Sequence, residues 1–76
     1  ALDLGLAVAM ASSLVNKPIK DKIAFIGEIG LLGEIRSVNL LDRRIKEAKR
    51  LGFKKVISKK THSSIGAVLK ELNLSR

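Results

Sequence analysis

The stretch Gly27-Glu28-Ile29-Gly30-Leu31-Leu32-Gly33-Glu34-Ile35-Arg36 decides the fold. Glycine returns at every third position, and two similar halves, Gly-Glu-Ile-Gly and Gly-Glu-Ile-Arg, flank a pair of leucines. This pattern predicts a strand, a tight turn near Leu31 to Gly33, and a returning strand through Val38. The glycines would supply positive φ or close backbone approach. A phosphate-cradling loop is the competing reading. It would need a helix start and a lysine directly after the glycines, and neither follows.

Upstream, Ile23 to Ile26 is a short apolar run with a β-branched bias, suited to a central strand. Before it, Leu4 to Val15 is apolar or small almost all the way round, which predicts a helix that is buried or at an interface. Asp3 is placed to cap that helix, and Asn16, Lys17 and Pro18 to end it. Asp3 and the missing basic n-region argue against a signal peptide, and the apolar run is too short to span a bilayer. The chain opens on Ala-Leu-Asp-Leu, inside this apolar segment, which reads as a cut within a longer protein.

Downstream of the hairpin, Asn39 is placed to cap a helix, with Asp42 as a weaker capping-box partner. Leu41, Ile45, Ala48 and Leu51 form one apolar stripe, and Gly52 stands where a left-handed C-cap belongs. Phe53 leads into a strand over Lys54 to Ser58. Strand, helix and strand make a βαβ unit, for which a right-handed crossover and parallel pairing are the rule. Thr61 to Ser64 offers another cap, and Ile65, Val68, Leu69 and Leu72 predict a final amphipathic helix. The fold class is therefore α/β, ordered helix–β-hairpin–helix–strand–helix around an aliphatic core, since Phe25 and Phe53 are the only aromatics.

The net charge of +8 is concentrated. From Arg36 to Lys60 the chain carries ten of its fifteen lysines and arginines against two of its seven acids, Asp42 and Glu47. A localised excess predicts an anionic partner better than a diffuse one does. The candidate DNA-contacting residues are Arg36, Arg43, Arg44, Lys46, Lys49, Arg50, Lys54 and Lys55. Arg50, Lys54 and Lys55 should cluster at one end of the sheet, with Arg36 towards the other. Without tyrosine or tryptophan, base stacking contributes little, so contacts should be electrostatic and indifferent to sequence. A solvated surface that binds nothing is the plain alternative. The absence of cysteine removes disulfides and thiolate metal sites, and fits a cytoplasmic location. One histidine with scattered acids is too little for a metal site.

The string GEIGLLGEIRSVNLLDRRIKEAKRLGFKKVI resembles the Lon-protease-like C-terminal domain of bacterial RadA/Sms DNA-repair ATPases. The features that carry the resemblance are Gly-Glu-Ile-Arg, the Arg-Ile-Lys-Glu-Ala helix, and Leu-Gly-Phe before the last strand. The upstream helix from Leu2 to Leu14 resembles that family too. The similarity covers residues 1–58, and the tail from Lys59 lacks the proline-containing continuation usual there. YifB/ComM-type ATPases share a related hairpin.

The resemblance implies a ribosomal-S5-domain-2-like (Lon proteolytic-domain-like) fragment, with residues 1–76 forming the C-terminal half of one domain. It further implies a parent protein with a zinc finger and a RecA-like ATPase upstream, assembled as a hexameric ring on recombination intermediates. ATP, magnesium and zinc would belong to those upstream parts, and no cofactor is expected in this chain. Aligned without gaps, the serine and lysine of the Lon catalytic dyad fall at Ala1 and Asp42, so neither peptidase group is present. His62 beside Ser63 reads as loop and capping chemistry, and Glu28 as a residue that orients backbone or a basic neighbour. The leading expectation is a non-catalytic oligomerisation and DNA-contact domain of a membrane-free repair ATPase. The alternatives are a purely structural oligomerisation domain, an inactive Lon-like peptidase domain binding peptides along the hairpin edge, and a YifB/ComM-type fragment.

Overall fold

A computed structural model describes residues 2–19 and 22–74. Ala1, to which the missing dyad serine was assigned, lies outside the described residues. The elements are β1 (Leu2–Asp3), α1 (Leu4–Val15), β2 (Ile23–Phe25), β3 (Glu28–Ile29), β4 (Ile35–Arg36), α2 (Leu41–Arg50), β5 (Lys55–Ile57) and α3 (Ile65–Glu71).

The expected hairpin is present. β3 and β4 pair antiparallel with Ile29 opposite Ile35 and Glu28 opposite Arg36. The turn closes through Gly33 N–H to the Gly30 carbonyl at 3.0 Å and Gly30 N–H to the Glu34 carbonyl at 2.9 Å. Gly33 sits at φ +82°, the left-handed position that a three-residue hairpin loop requires. The returning strand stops at Arg36 rather than Val38. β1 adds a short third strand to this sheet, pairing antiparallel with β3. A two-residue strand has no periodicity to read, so the sequence carried no signal for it.

β5 does lie in a parallel pair, but its partner is β2, with Ile23 opposite Lys55 and Phe25 opposite Ile57. The sequence reading placed the preceding hairpin strand, β4, in that role. The described residues form two separate sheets, β1-β3-β4 and β2-β5, and the crossover from β2 to β5 contains the hairpin as well as α2. β4 instead turns its free edge to the loop before α3. Glu34 bridges Ser64, Ile35 N–H donates to the Ser63 carbonyl, and Ile65 N–H donates to the Gly33 carbonyl, both at 2.9 Å.

Each helix ends in the same way. After α1, α2 and α3, the residues Asn16, Gly52 and Asn73 take positive φ, and the next N–H reaches back to the carbonyl five residues earlier. These are Schellman caps, which favour glycine or asparagine at the left-handed position. The helix starts differ. Asp3 Oδ1 accepts from Leu6 N–H at 2.9 Å and Ser64 Oγ from Ala67 N–H at 3.2 Å, as the sequence predicts. Asn39 does not cap α2. The cap residue is Leu40, at φ 59°, and no side chain bonds the first turn.

Leu4, Val8, Ile35, Ile57, Val68 and Leu74 form the buried core, with Val15, Ile19, Ile23, Phe25, Ile29, Ile65, Leu69 and Leu72 packed against it. The core is aliphatic, as the composition requires. α1 is not buried all round, however. Leu4 and Val8 face inward, while Leu6, Met10 and Leu14 line an exposed outer stripe, Leu14 at 76%. The apolar stripe of α2 is likewise shallow, with Ala48 buried and Leu51 exposed. No described helix is long and apolar enough to cross a membrane.

Candidate nucleic-acid interface

α2 carries the densest charge. Its polar side holds Arg43, Lys46, Glu47 and Arg50, flanked by Arg44 and Lys49, and all six are exposed. Asp42 in the first turn and Lys49 and Arg50 in the last complement the helix dipole. That stabilises the helix and also fixes where the cations stand.

The eight candidate cations divide into two groups. Three are in ion pairs. Arg36 meets Glu34 at 3.1 Å, Arg50 meets Glu47, and Lys55 meets Glu71. The other five, Arg43, Arg44, Lys46, Lys49 and Lys54, form no ion pair among the described residues. Shallow hollows on either side of α2 are lined by Asp42, Arg43, Ile45, Lys46 and Lys49, and by Leu40, Arg43, Arg44 and Glu47.

Of the expected cluster of Arg50, Lys54 and Lys55, the two lysines line one cleft, and Arg50 is not among its lining residues. Arg50 folds back along its own helix to Glu47, and Lys55 reaches across to α3. The cleft that Lys54 and Lys55 share is also lined by Lys17 and Lys22. The strand partner explains the company: β2 brings Lys22 beside Lys54, and both Lys54 N–H and Lys55 N–H donate to the Lys22 carbonyl. Lys17 and Lys22 were not among the sequence candidates. More than thirty positions of sequence separate them from Lys54, and long-range parallel pairing alone brings them together.

Three carboxylates, Glu34, Glu47 and Glu71, are favoured in their charged form by local partners. Backbone N–H groups of Glu34 and Leu32, and then Arg36, hold the Glu34 carboxyl below the usual range. Arg50 lowers Glu47, and Lys55 followed by His62 lowers Glu71. The orienting role expected for Glu28 is thus filled by Glu34, which accepts from Leu32 N–H at 3.0 Å and from Arg36. His62 contacts Thr61 Oγ1 at 2.7 Å and Glu71 Oε1 at 2.9 Å, not Ser63. Asp42, to which the sequence reading assigned the position of the dyad lysine, is exposed and pairs with Lys60. No group of three or more metal-ligating side chains converges among the described residues.

A two-sheet α/β domain with a cationic helix on its surface is the class these features define. The profile of the family ChlI, described as subunit ChlI of Mg-chelatase, matches residues 1–62, and the chain belongs to that family. The chain is also related to proteins named DNA repair protein RadA. It is 55% identical over 60 residues to RadA of Streptococcus pyogenes serotype M3, covering 79% of this chain and 13% of that protein. It is 54% identical over 56 residues to RadA of Streptococcus pneumoniae strain R6, covering 74% of this chain and 13% of that protein. With RadA of Listeria monocytogenes serovar 1/2a the identity is 40% over 74 residues, 97% of this chain and 16% of that protein. The chain spans 13% to 16% of the length of these relatives.

Proposed function

We propose that the chain is a DNA-contact and assembly module of a RadA-type DNA-repair protein, without catalytic chemistry of its own. The observation that carries this reading is α2, where Arg43, Arg44, Lys46 and Lys49 stand exposed without an ion-pair partner among the described residues. Exposed, uncompensated guanidinium and ammonium groups along one helix suit backbone phosphates, and they carry no base code. The kinship with RadA proteins supports DNA as the polyanion. The wider reading takes this segment as the C-terminal half of a Lon-like, S5-like domain in a cytoplasmic ring-forming ATPase. ATP, magnesium and zinc would then be bound by other parts of the parent.

The test is DNA binding by anisotropy at several salt concentrations, for the parent chain and for Arg43/Arg44/Lys46/Lys49→Gln. The parent should show a slope of log K against log salt of about −2 to −4, as three or four neutralised phosphates require. The variant should lose most of that slope equally on unrelated sequences. A folded variant that binds as the parent does would sink the DNA reading.

A structural oligomerisation domain is the second reading, and the outer stripe of Leu6, Met10 and Leu14 favours it. The peptide-edge alternative has less support, because the outer edge of β4 is already engaged by Ser63 to Ile65.

A further inference from the structure

Away from α2, a cleft of about 560 Å³ opens where the C-terminal ends of α1 and α3 meet the start of the β2-β5 pair. Lys17, Lys22, Lys54 and Lys55 line it, and Glu71 is its single acid; Pro18, Ile23 and Leu72 contribute apolar wall. Two helix C-termini end here, each bringing about half a negative charge. Lys17 Nζ answers one of them, donating to the Asn73 carbonyl at 3.3 Å. Four lysines against one carboxylate and two helix ends leave the cleft at about +2.

The cleft is also held in shape. Lys22 stands at φ 70°, a conformation that lysine rarely adopts. Its carbonyl accepts from Lys54 N–H at 2.8 Å and Lys55 N–H at 3.1 Å. The backbone thus fixes Lys22 beside Lys54 whether or not anything is bound. A strained backbone position that holds two lysines side by side in a concave, net-positive cleft fits a preorganised anion site.

We propose that this cleft is a second phosphate-binding site, separate from α2, which takes backbone phosphates of a nucleic-acid strand. It rests in part on the DNA reading above and extends that reading to Lys17 and Lys22. Lys17 and Lys55 already have partners, so Lys22 and Lys54, which form no ion pair among the described residues, are the two ammonium groups left to meet a phosphate.

The experiment is an amide chemical-shift titration of the chain with pyrophosphate, and separately with an oligothymidylate of about eight nucleotides. Pyrophosphate should saturably shift Lys17, Lys22, Lys54 and Lys55 while leaving Arg43 and Lys46 in place. The oligonucleotide should shift both the cleft and α2. Lys22→Asn with Lys54→Gln should weaken pyrophosphate at least about tenfold, the effect of losing a charged hydrogen bond. Asparagine suits positive φ, so this variant keeps the fold, and an unchanged amide spectrum elsewhere verifies that. If pyrophosphate shifts nothing in the cleft, or shifts α2 equally, the site is overturned, whatever the oligonucleotide does on α2. If pyrophosphate occupies the cleft but the oligonucleotide touches neither surface, nucleic acid is overturned as the occupant and the DNA reading falls with it. Oligonucleotide shifts confined to α2 would overturn the cleft and leave that reading standing.

Discussion

Glu71 of α3 accepts from Lys55 at the start of β5 through one carboxylate oxygen and contacts His62 Nε2 through the other. One side chain thereby joins the last helix to the parallel sheet and to the loop between them. The carboxyl is lowered first by Lys55 and then by His62. A carboxyl lowered on folding stabilises the native state above its unfolded value, here about 4.5, and loses that effect as pH falls through the folded value.

Unfolding by urea should therefore show constant stability from neutral pH down to about 5, and a decline below about 4.5. Glu34 and Glu47 are lowered as well and contribute to the same decline. Glu71→Gln should lower the plateau and flatten the acid limb. An acid limb of unchanged steepness in that variant would show that the Glu71 contacts contribute nothing to it. Exposure of the pair keeps the effect modest and makes it weaker in high salt.

At the start of α2 the sequence rule and the structure disagree, and stability measurements can decide between them. If Asn39 capped the helix, Asn39→Ala would cost about 1 kcal/mol. The structure predicts almost no change, because the cap position belongs to Leu40 without a side-chain bond. Leu40 is exposed and left-handed, so Leu40→Gly should stabilise the chain by about 0.5 to 1 kcal/mol. Thermal melts of both variants, read side by side, check the pair.

Local chemistry made much of this fold legible. Asp3, Ser64, Gly52 and the glycine-leucine turn each act within a few residues, and each does in the structure what its type predicts. The partner of β5 was not legible. Val56 and Ile57 signal a buried strand, but nothing in their immediate neighbourhood distinguishes β2 from β4 as the strand alongside. The same limit applied to the site. Charge density located the cations of α2, whereas the pairing of Arg36, Arg50 and Lys55 with acids, and the meeting of Lys17, Lys22 and Lys54, depend on tertiary placement.

The two sides of α1 should respond oppositely to substitution. Val8 is fully buried in the core, so Val8→Glu places an unpaired carboxyl among Leu4, Ile57 and their neighbours. A domain of this size has about 4 to 11 kcal/mol of total stability, and the variant should fail to fold. Leu6→Gln with Leu14→Gln alters exposed positions and should leave the far-UV circular dichroism unchanged. If the outer stripe is an assembly surface, sedimentation should show self-association in the parent and its loss in the double variant. A parent chain that stays monomeric to the highest concentration reached would remove that role.

The acids that occupy some of the basic residues offer a test in the direction of gain. Glu47 engages Arg50 and Glu34 engages Arg36, and both pairs are exposed. Glu34 and Glu47 also add negative charge where a phosphate chain is proposed to pass. Replacing either acid with glutamine releases an arginine and removes a repulsive charge without altering any cation. Each substitution should therefore tighten DNA binding severalfold at low salt and steepen the salt slope by up to about 0.9, the contribution of one further phosphate. The gain should be the same for unrelated sequences and should vanish at high salt, where exposed charges are screened. Glu28→Gln removes the same charge but releases no arginine, so its effect should be smaller than that of Glu47→Gln. Equal effects from the two would mean that net charge alone governs binding, and unchanged binding in all three variants would take the nucleic acid away from this face altogether.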